Sequence, residues 1–229
     1  MRDDRKRTLA AIWRTAHGLG ALALVALAVA IFMALPVRAQ GTTVGSLEPC
    51  LDTHFDPARY VADLQAMGWQ PVPEATRGPA LDRLSDAFLA LLVVEFDPAA
   101  AETAGLRQAQ RADWAARTDG RNLLQREGQT LFIGGDLAPD GRQRVLCWMA
   151  TGPDDALMSE LWAIWTETGH TDQAGAVTRA AIPETPTPTP GATFAFYAVS
   201  TPQDAMTPSL AASQGLLTQL IIPPQATPD

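Results

Sequence analysis

Between residues 50 and 56 the chain gathers a thiol, two carboxylates and an imidazole in Cys50, Asp52, His54 and Asp56. These groups are ligand types for zinc or copper. A metal site built on them would draw on His170, the one other histidine beyond residue 39. Each also has a structural use. Asp56 suits the N-cap of a helix opened by Pro57, Cys50 suits a disulfide, and Asp52 and His54 suit a polar loop. His170 follows Gly169, where an imidazolium would complement a helix C-terminus. The structural uses account for most of the cluster, so no metal or other cofactor is expected; Asp52, His54 and His170 are the residues a metal would need.

Nucleophilic catalysis needs a base beside a nucleophile and a group that orients the base. The chain has no Gly-x-Ser-x-Gly elbow and no His-Glu-x-x-His, and Lys6 is its only lysine, which rules out a Ser-x-x-Lys pair beyond the first residues. Carboxylate pairs such as Glu95 with Asp97 and Asp154 with Asp155 could serve a glycosidase, but the separation that chemistry requires is a tertiary property. Asp154 and Asp155 also suit the first turn of a helix. Gly134-Gly135-Asp136 lacks the lysine of a phosphate loop and the third glycine of a dinucleotide loop, and reads as a bend. Among the tryptophans, Trp148 and Trp165 fall on apolar stripes. Trp114 and Trp162, if exposed, would offer a surface for a carbohydrate or peptide.

The compartment follows from the N-terminus and the cysteines. Arg2, Arg5, Lys6, Arg7 and Arg14 precede an uncharged run from Leu19 to Leu35, Pro36 ends it, and Val37-Arg38-Ala39 offers small or medium residues for a signal peptidase. Residues 1–39 therefore read as a signal peptide cleaved after Ala39, or as an uncleaved anchor spanning 19–35. Both place the remainder outside the cytoplasm, periplasmic or secreted. There the pair Cys50 and Cys147 reads as a disulfide. Beyond residue 39 the basic residues fall from 17 to 11 and the acidic from 25 to 23, taking the net charge from −8 to −12. Such a surface repels phosphate backbones, so no nucleic acid is expected as a partner, and membrane contact only through the N-terminal apolar segment.

The elements that would carry these residues belong to one exported domain over 40–222, with 223–229 a disordered tail. A first helix starts at Asp56-Pro57 and stops at Gly68, a second starts near Pro79, and an alanine-rich third runs from Asp97-Pro98 to Arg117. Gln129–Gly134 and Arg142–Ala150 form a hairpin around Pro139-Asp140-Gly141. A fourth helix runs from Pro153 to Thr166. Strands follow over Ala174–Ile182 and Ala192–Ser200, separated by a Thr/Pro run from Pro183 to Pro190 that cannot pair centrally. Thr207-Pro208 suits the start of a short helix, and Leu216–Ile222 suits either strand or helix. The expected fold is α+β, with N-terminal helices followed by a four-stranded antiparallel sheet with an inserted helix. The expected function is a non-catalytic binding or interaction module for an envelope protein or small ligand, stapled by one disulfide. The alternative is an exported hydrolase whose carboxylates and histidines converge only in the fold.

Overall fold

The computed structural model describes residues 43–52, 56–93, 96–97, 100–137, 140–174, 177–201 and 212–222. The leader or anchor over 1–39, the helix at Thr207-Pro208 and the tail over 223–229 lie outside the described residues. The chain divides into two units, Met1–Gly45 and Ser46–Asp229. Among the described residues no helix is long and apolar enough to cross a membrane.

Among the described residues a 3-10 helix over Thr43–Leu51 leads into four α-helices: α1 over Pro57–Ala66, α2 over Glu74–Leu92, α3 over Ala101–Arg117 and α4 over Ala156–Glu167. Eight strands accompany them among the described residues. β1 is Gln70–Pro71, β2 Leu123–Arg126, β3 Gln129–Leu137 and β4 Gln143–Thr151; β5 is Thr171–Ala174, β6 Val177–Pro186, β7 Thr193–Ser200 and β8 Gln214–Ile222. All pair antiparallel in one sheet of order β1-β2-β3-β4-β8-β7-β6-β5. Two meanders, β1 to β4 and β5 to β8, thus meet along the β4/β8 pair. α4 lies between them in the chain. At 1.5 Å per residue its 12 residues reach about 18 Å, comparable with the four interstrand spacings of about 4.8 Å that separate β4 from β5.

The eight-stranded sheet corrects the expected four-stranded one, and the extra strands share a physical reason. β8 pairs with β4 on one side and β7 on the other and is buried along nearly its whole length. A strand covered on both faces shows no polar alternation, so its apolar run reads equally as helix or strand. β1 and β2 are two and four residues long, too short to set a period. The hairpin joining β2 to β3 turns on Glu127-Gly128, both at positive φ (47° and 87°), as a type I′ turn requires. β5 and β6 replace the single strand expected at Ala174–Ile182. β6 runs on into the Thr/Pro segment as far as Pro186, with a register shift between Ile182 and Thr185. That stretch lies past β5, whose pairing with β6 covers Val177 to Ala180, so its prolines meet an edge rather than a second ladder.

The helices form where the sequence supplies caps. The Asp56 carboxylate accepts the Ala58 N–H with Pro57 in the first turn of α1. Asp155 caps α4 by accepting the Met158 N–H at 3.0 Å, and its other oxygen accepts from Gln129 Nε2 at 2.8 Å and Thr151 Oγ1 at 3.0 Å. α2 starts earlier than Pro79, at Glu74. Its buried face, including Ala80, Leu84 and Ala87, packs with Trp114, Phe132, Trp148 and Ala150, and the Trp148 indole donates to the Leu84 carbonyl at 3.1 Å. α3 is tied to α2 by the Arg107–Asp86 ion pair, whose carboxylate is buried. A Cβ added at Gly215 would lie 2.8 Å from Ala87 Cβ, so the small residue in β8 is what lets α2 approach the sheet.

Candidate functional site

Cys50 and Cys147 are joined in a disulfide with Cα atoms 5.9 Å apart. Both are buried, and Thr218 Oγ1 in β8 donates to the Cys50 carbonyl at 3.2 Å. The bridge therefore fastens the 3-10 helix to the centre of the sheet.

The other residues singled out from sequence stand as follows. His54 lies outside the described residues. Asp52 is exposed, and its carbonyl accepts from the Tyr60 hydroxyl at 2.8 Å. His170 is exposed at the end of α4, where its N–H donates to the Trp165 carbonyl and its carbonyl accepts from Ala181. Among the described residues no group of three or more histidines, cysteines and acids is placed to hold a metal ion. Asp155 is occupied in capping α4 and in its bonds to Gln129 and Thr151. Trp114 is 3% exposed and stands edge-on to Phe88 and Phe132, with ring centroids 5.5 and 4.9 Å away. Trp162 is half-buried and stands edge-on to Trp165 at 5.4 Å; its indole nitrogen is buried and has no hydrogen-bond partner among the described residues.

A cleft of about 640 Å³ opens between α2, α3 and one face of the sheet. Register explains its floor. Trp148, Leu217, Tyr197 and Ala181 lie in one row across β4, β8, β7 and β6, and Leu146 opposes Gln219 in the next row. Successive side chains alternate between faces. In β8, Leu217 and Gln219 are the two incompletely buried positions, whereas their neighbours Leu216, Thr218 and Leu220 on the opposite face are buried. The helices add Leu91 and Leu92 from α2 and Gln110, Asp113 and Arg117 from α3. The result is an apolar floor with polar groups at its margins, the usual constitution of a small-molecule site.

Three guanidinium groups border it against two carboxylates. Arg144 Nε and Nη2 donate to the two Asp136 oxygens at 2.6 and 2.7 Å, a fork-on-fork pair across the β3/β4 register. Arg117 pairs with Asp113 at 3.0 Å and lies over the Trp114 ring at 6.0 Å. Arg179 has no carboxylate within ion-pair distance among the described residues. Its Nε and Nη2 donate to the Ala90 carbonyl at 3.1 and 2.8 Å, and Nη2 also donates to the Val93 carbonyl. Ala90 belongs to the last turn of α2, whose carbonyls lack helical partners and carry the negative end of the helix dipole. Burial pushes the Arg179 guanidinium below its ordinary value, with the charge of Asp172 opposing the shift. The Tyr197 hydroxyl and Gln219 amide enter no side-chain hydrogen bond among the described residues.

Sequence reasoning missed this cleft. Its lining comes from seven separate elements, and only the β4/β8 pairing of chain segments some 70 residues apart (Trp148 to Leu217) brings them together. No histidine, serine or cysteine is among the lining residues, and both carboxylates are engaged by guanidinium groups. No family model matches the chain, and no curated protein or solved structure matches it.

Proposed function

We propose that this chain is a non-catalytic binding domain acting outside the cytoplasm, and that the cleft between α2, α3 and the sheet is where its ligand sits. The observation that carries the reading is the cleft's make-up: an open apolar floor of Leu146, Leu217 and Tyr197 with Leu91 of α2 against it, bordered by arginines, and no serine, cysteine or histidine among its lining residues. The buried Cys50–Cys147 bridge supports the compartment, because such a pair persists in an oxidising environment. A leader over residues 1–39, cleaved or retained as an anchor, would deliver the domain there.

Three measurements test this reading. Ligand-observed NMR with a set of neutral apolar fragments should show binding to the wild type and its loss in Ala181→Phe, because Ala181 is an exposed floor residue whose enlargement fills the cleft. Ester, glycoside and peptide substrates should show no turnover above background; turnover abolished by Asp136→Asn would instead establish the hydrolase. For the compartment, N-terminal sequencing of the envelope-localised protein should read from Gln40 if the leader is cleaved, or from Met1 in the membrane fraction if it is an anchor; recovery solely in the cytoplasm would refute export.

A further inference from the structure

Resting on the reading that the cleft is a ligand site, we infer that it takes a free single-chain amphiphile with one anionic head, a carboxylate for preference. The shape argues for a chain. Arg144 and Arg179 stand at opposite ends of the floor. Three two-residue steps separate the Arg144 row from the row of Ala150, Gly215, Val199 and Arg179, and three strand spacings separate β4 from β6. At about 3.3 Å per residue and about 4.8 Å per strand, the diagonal is about 25 Å between Cα atoms. The rows between present Leu146, Leu217, Tyr197 and Ala181, and Leu91 of α2 completes the apolar lining.

The charges argue for one negative group and say where it sits. Arg144 and Arg117 are each balanced by a carboxylate, Asp136 and Asp113. Arg179 has no carboxylate within ion-pair distance among the described residues: it holds the helix-end carbonyls, and the charge of Asp172, its register partner on β5, acts on it from farther off. Among its lining residues the cleft thus sets three guanidinium groups against two carboxylates, and the excess positive charge, tempered by Asp172, falls at the β6 end. Three of the five N–H donors of a guanidinium lie on Nε and Nη2, the atoms Arg179 uses on the α2 carbonyls; no described residue takes the two Nη1 hydrogens, which leaves them for an incoming carboxylate. The Tyr197 hydroxyl stands one row nearer the centre as a further donor. The acidic domain outside, at net −12 beyond residue 39, disfavours polyanions far more than it disfavours a single charge.

Calorimetric titration of the disulfide-intact protein with dodecanoate, below its micelle concentration, tests the inference. Dodecanoate should bind and decanoate should bind more weakly, by up to about fourfold for each methylene removed at about 0.8 kcal/mol per buried methylene. Dodecanol and dodecyltrimethylammonium should bind at least tenfold more weakly. Arg179→Met should weaken dodecanoate about tenfold and leave dodecanol unchanged. Because Arg179 also holds the end of α2, Ala181→Phe serves as the second variant and should abolish binding of both chains, with thermal unfolding confirming that each variant is folded. Equal affinity for dodecanol and dodecanoate, or full dodecanoate affinity in folded Arg179→Met or Ala181→Phe, would overturn the inference. Association with phosphatidylglycerol vesicles but not with free dodecanoate would overturn it too. If neutral fragments occupy the cleft but dodecanoate does not, the amphiphile inference fails alone; if nothing enters the cleft, the binding reading fails with it.

Discussion

Removing the Cys50–Cys147 bridge should cost most of this domain's stability. The bridge spans 97 residues, and in the chain-entropy description a loop of that size adds about 4.7 kcal/mol to folding by restricting the unfolded chain. Single-domain proteins are stable by only about 5–15 kcal/mol in all, so the loss leaves a marginal fold. The two cysteines are 2% and 4% exposed, which makes alanine the appropriate replacement, since a serine would bury an unpartnered hydroxyl and add about 1–3 kcal/mol of its own. The assay is urea denaturation of wild type and Cys50→Ala/Cys147→Ala, followed by tryptophan fluorescence. We expect the midpoint to fall by an amount corresponding to about 3–5 kcal/mol, with a larger slope because the unbridged chain exposes more surface. A loss under about 1 kcal/mol would refute the reasoning, because it would mean that neither the loop constraint nor the fastening of the 3-10 helix to β4 matters.

Other perturbations reach separate parts of the account. Asp155→Ala removes the α4 cap together with the acceptor of Gln129 and Thr151, and should cost about 2 kcal/mol in the same assay, at the upper end for caps. Glu127 holds a positive φ of 47° in the β2/β3 turn, so Glu127→Asn, a residue that tolerates this conformation, should stabilise by about 0.5–1 kcal/mol. Asp119 has its pKa lowered, chiefly by the backbone N–H of Arg121 and further by that of Asn122. A carboxylate depressed in the folded state contributes stability above its unfolded value, near 3.9, that is lost as pH falls through the folded value. The stability gap between wild type and Asp119→Ala should accordingly be full at pH 6 and close as pH falls below about 4; a gap independent of pH would contradict the assignment.

What could be read from the sequence was local. Asp56-Pro57 marks the start of α1, Gly169 the stop after α4, and Pro139-Asp140-Gly141 lies between β3 and β4, because caps and turns depend on residues within a few positions of one another. The disulfide was legible because only two cysteines exist. β8 was not legible as a strand, since its burial on both faces erased the alternation that identifies strands, and β2 was too short to show a period. The β2/β3 turn uses Glu-Gly, where the usual signal is Asn-Gly or Asp-Gly. Trp114 drew attention as a surface candidate because a lone tryptophan shows no stripe; its burial against Phe88 and Phe132 depends on how α3 lies against α2 and the sheet. The cleft was the least legible feature of all. Arg179 looks like an unremarkable strand residue until β6 carries it to the end of α2.

The central claim is that the domain works by holding a ligand on the sheet face beneath α2 and α3. Residue-resolved NMR mapping tests it most directly: titrate dodecanoate or a neutral fragment into isotopically labelled protein and follow the backbone amides. The account predicts shifts concentrated at Leu91, Leu146, Arg179, Ala181, Tyr197, Leu217 and Gln219, with the amides around Trp162 and Asp52 unmoved. Shifts centred on Trp162 or on the segment around Asp52, with the cleft unchanged, would contradict it.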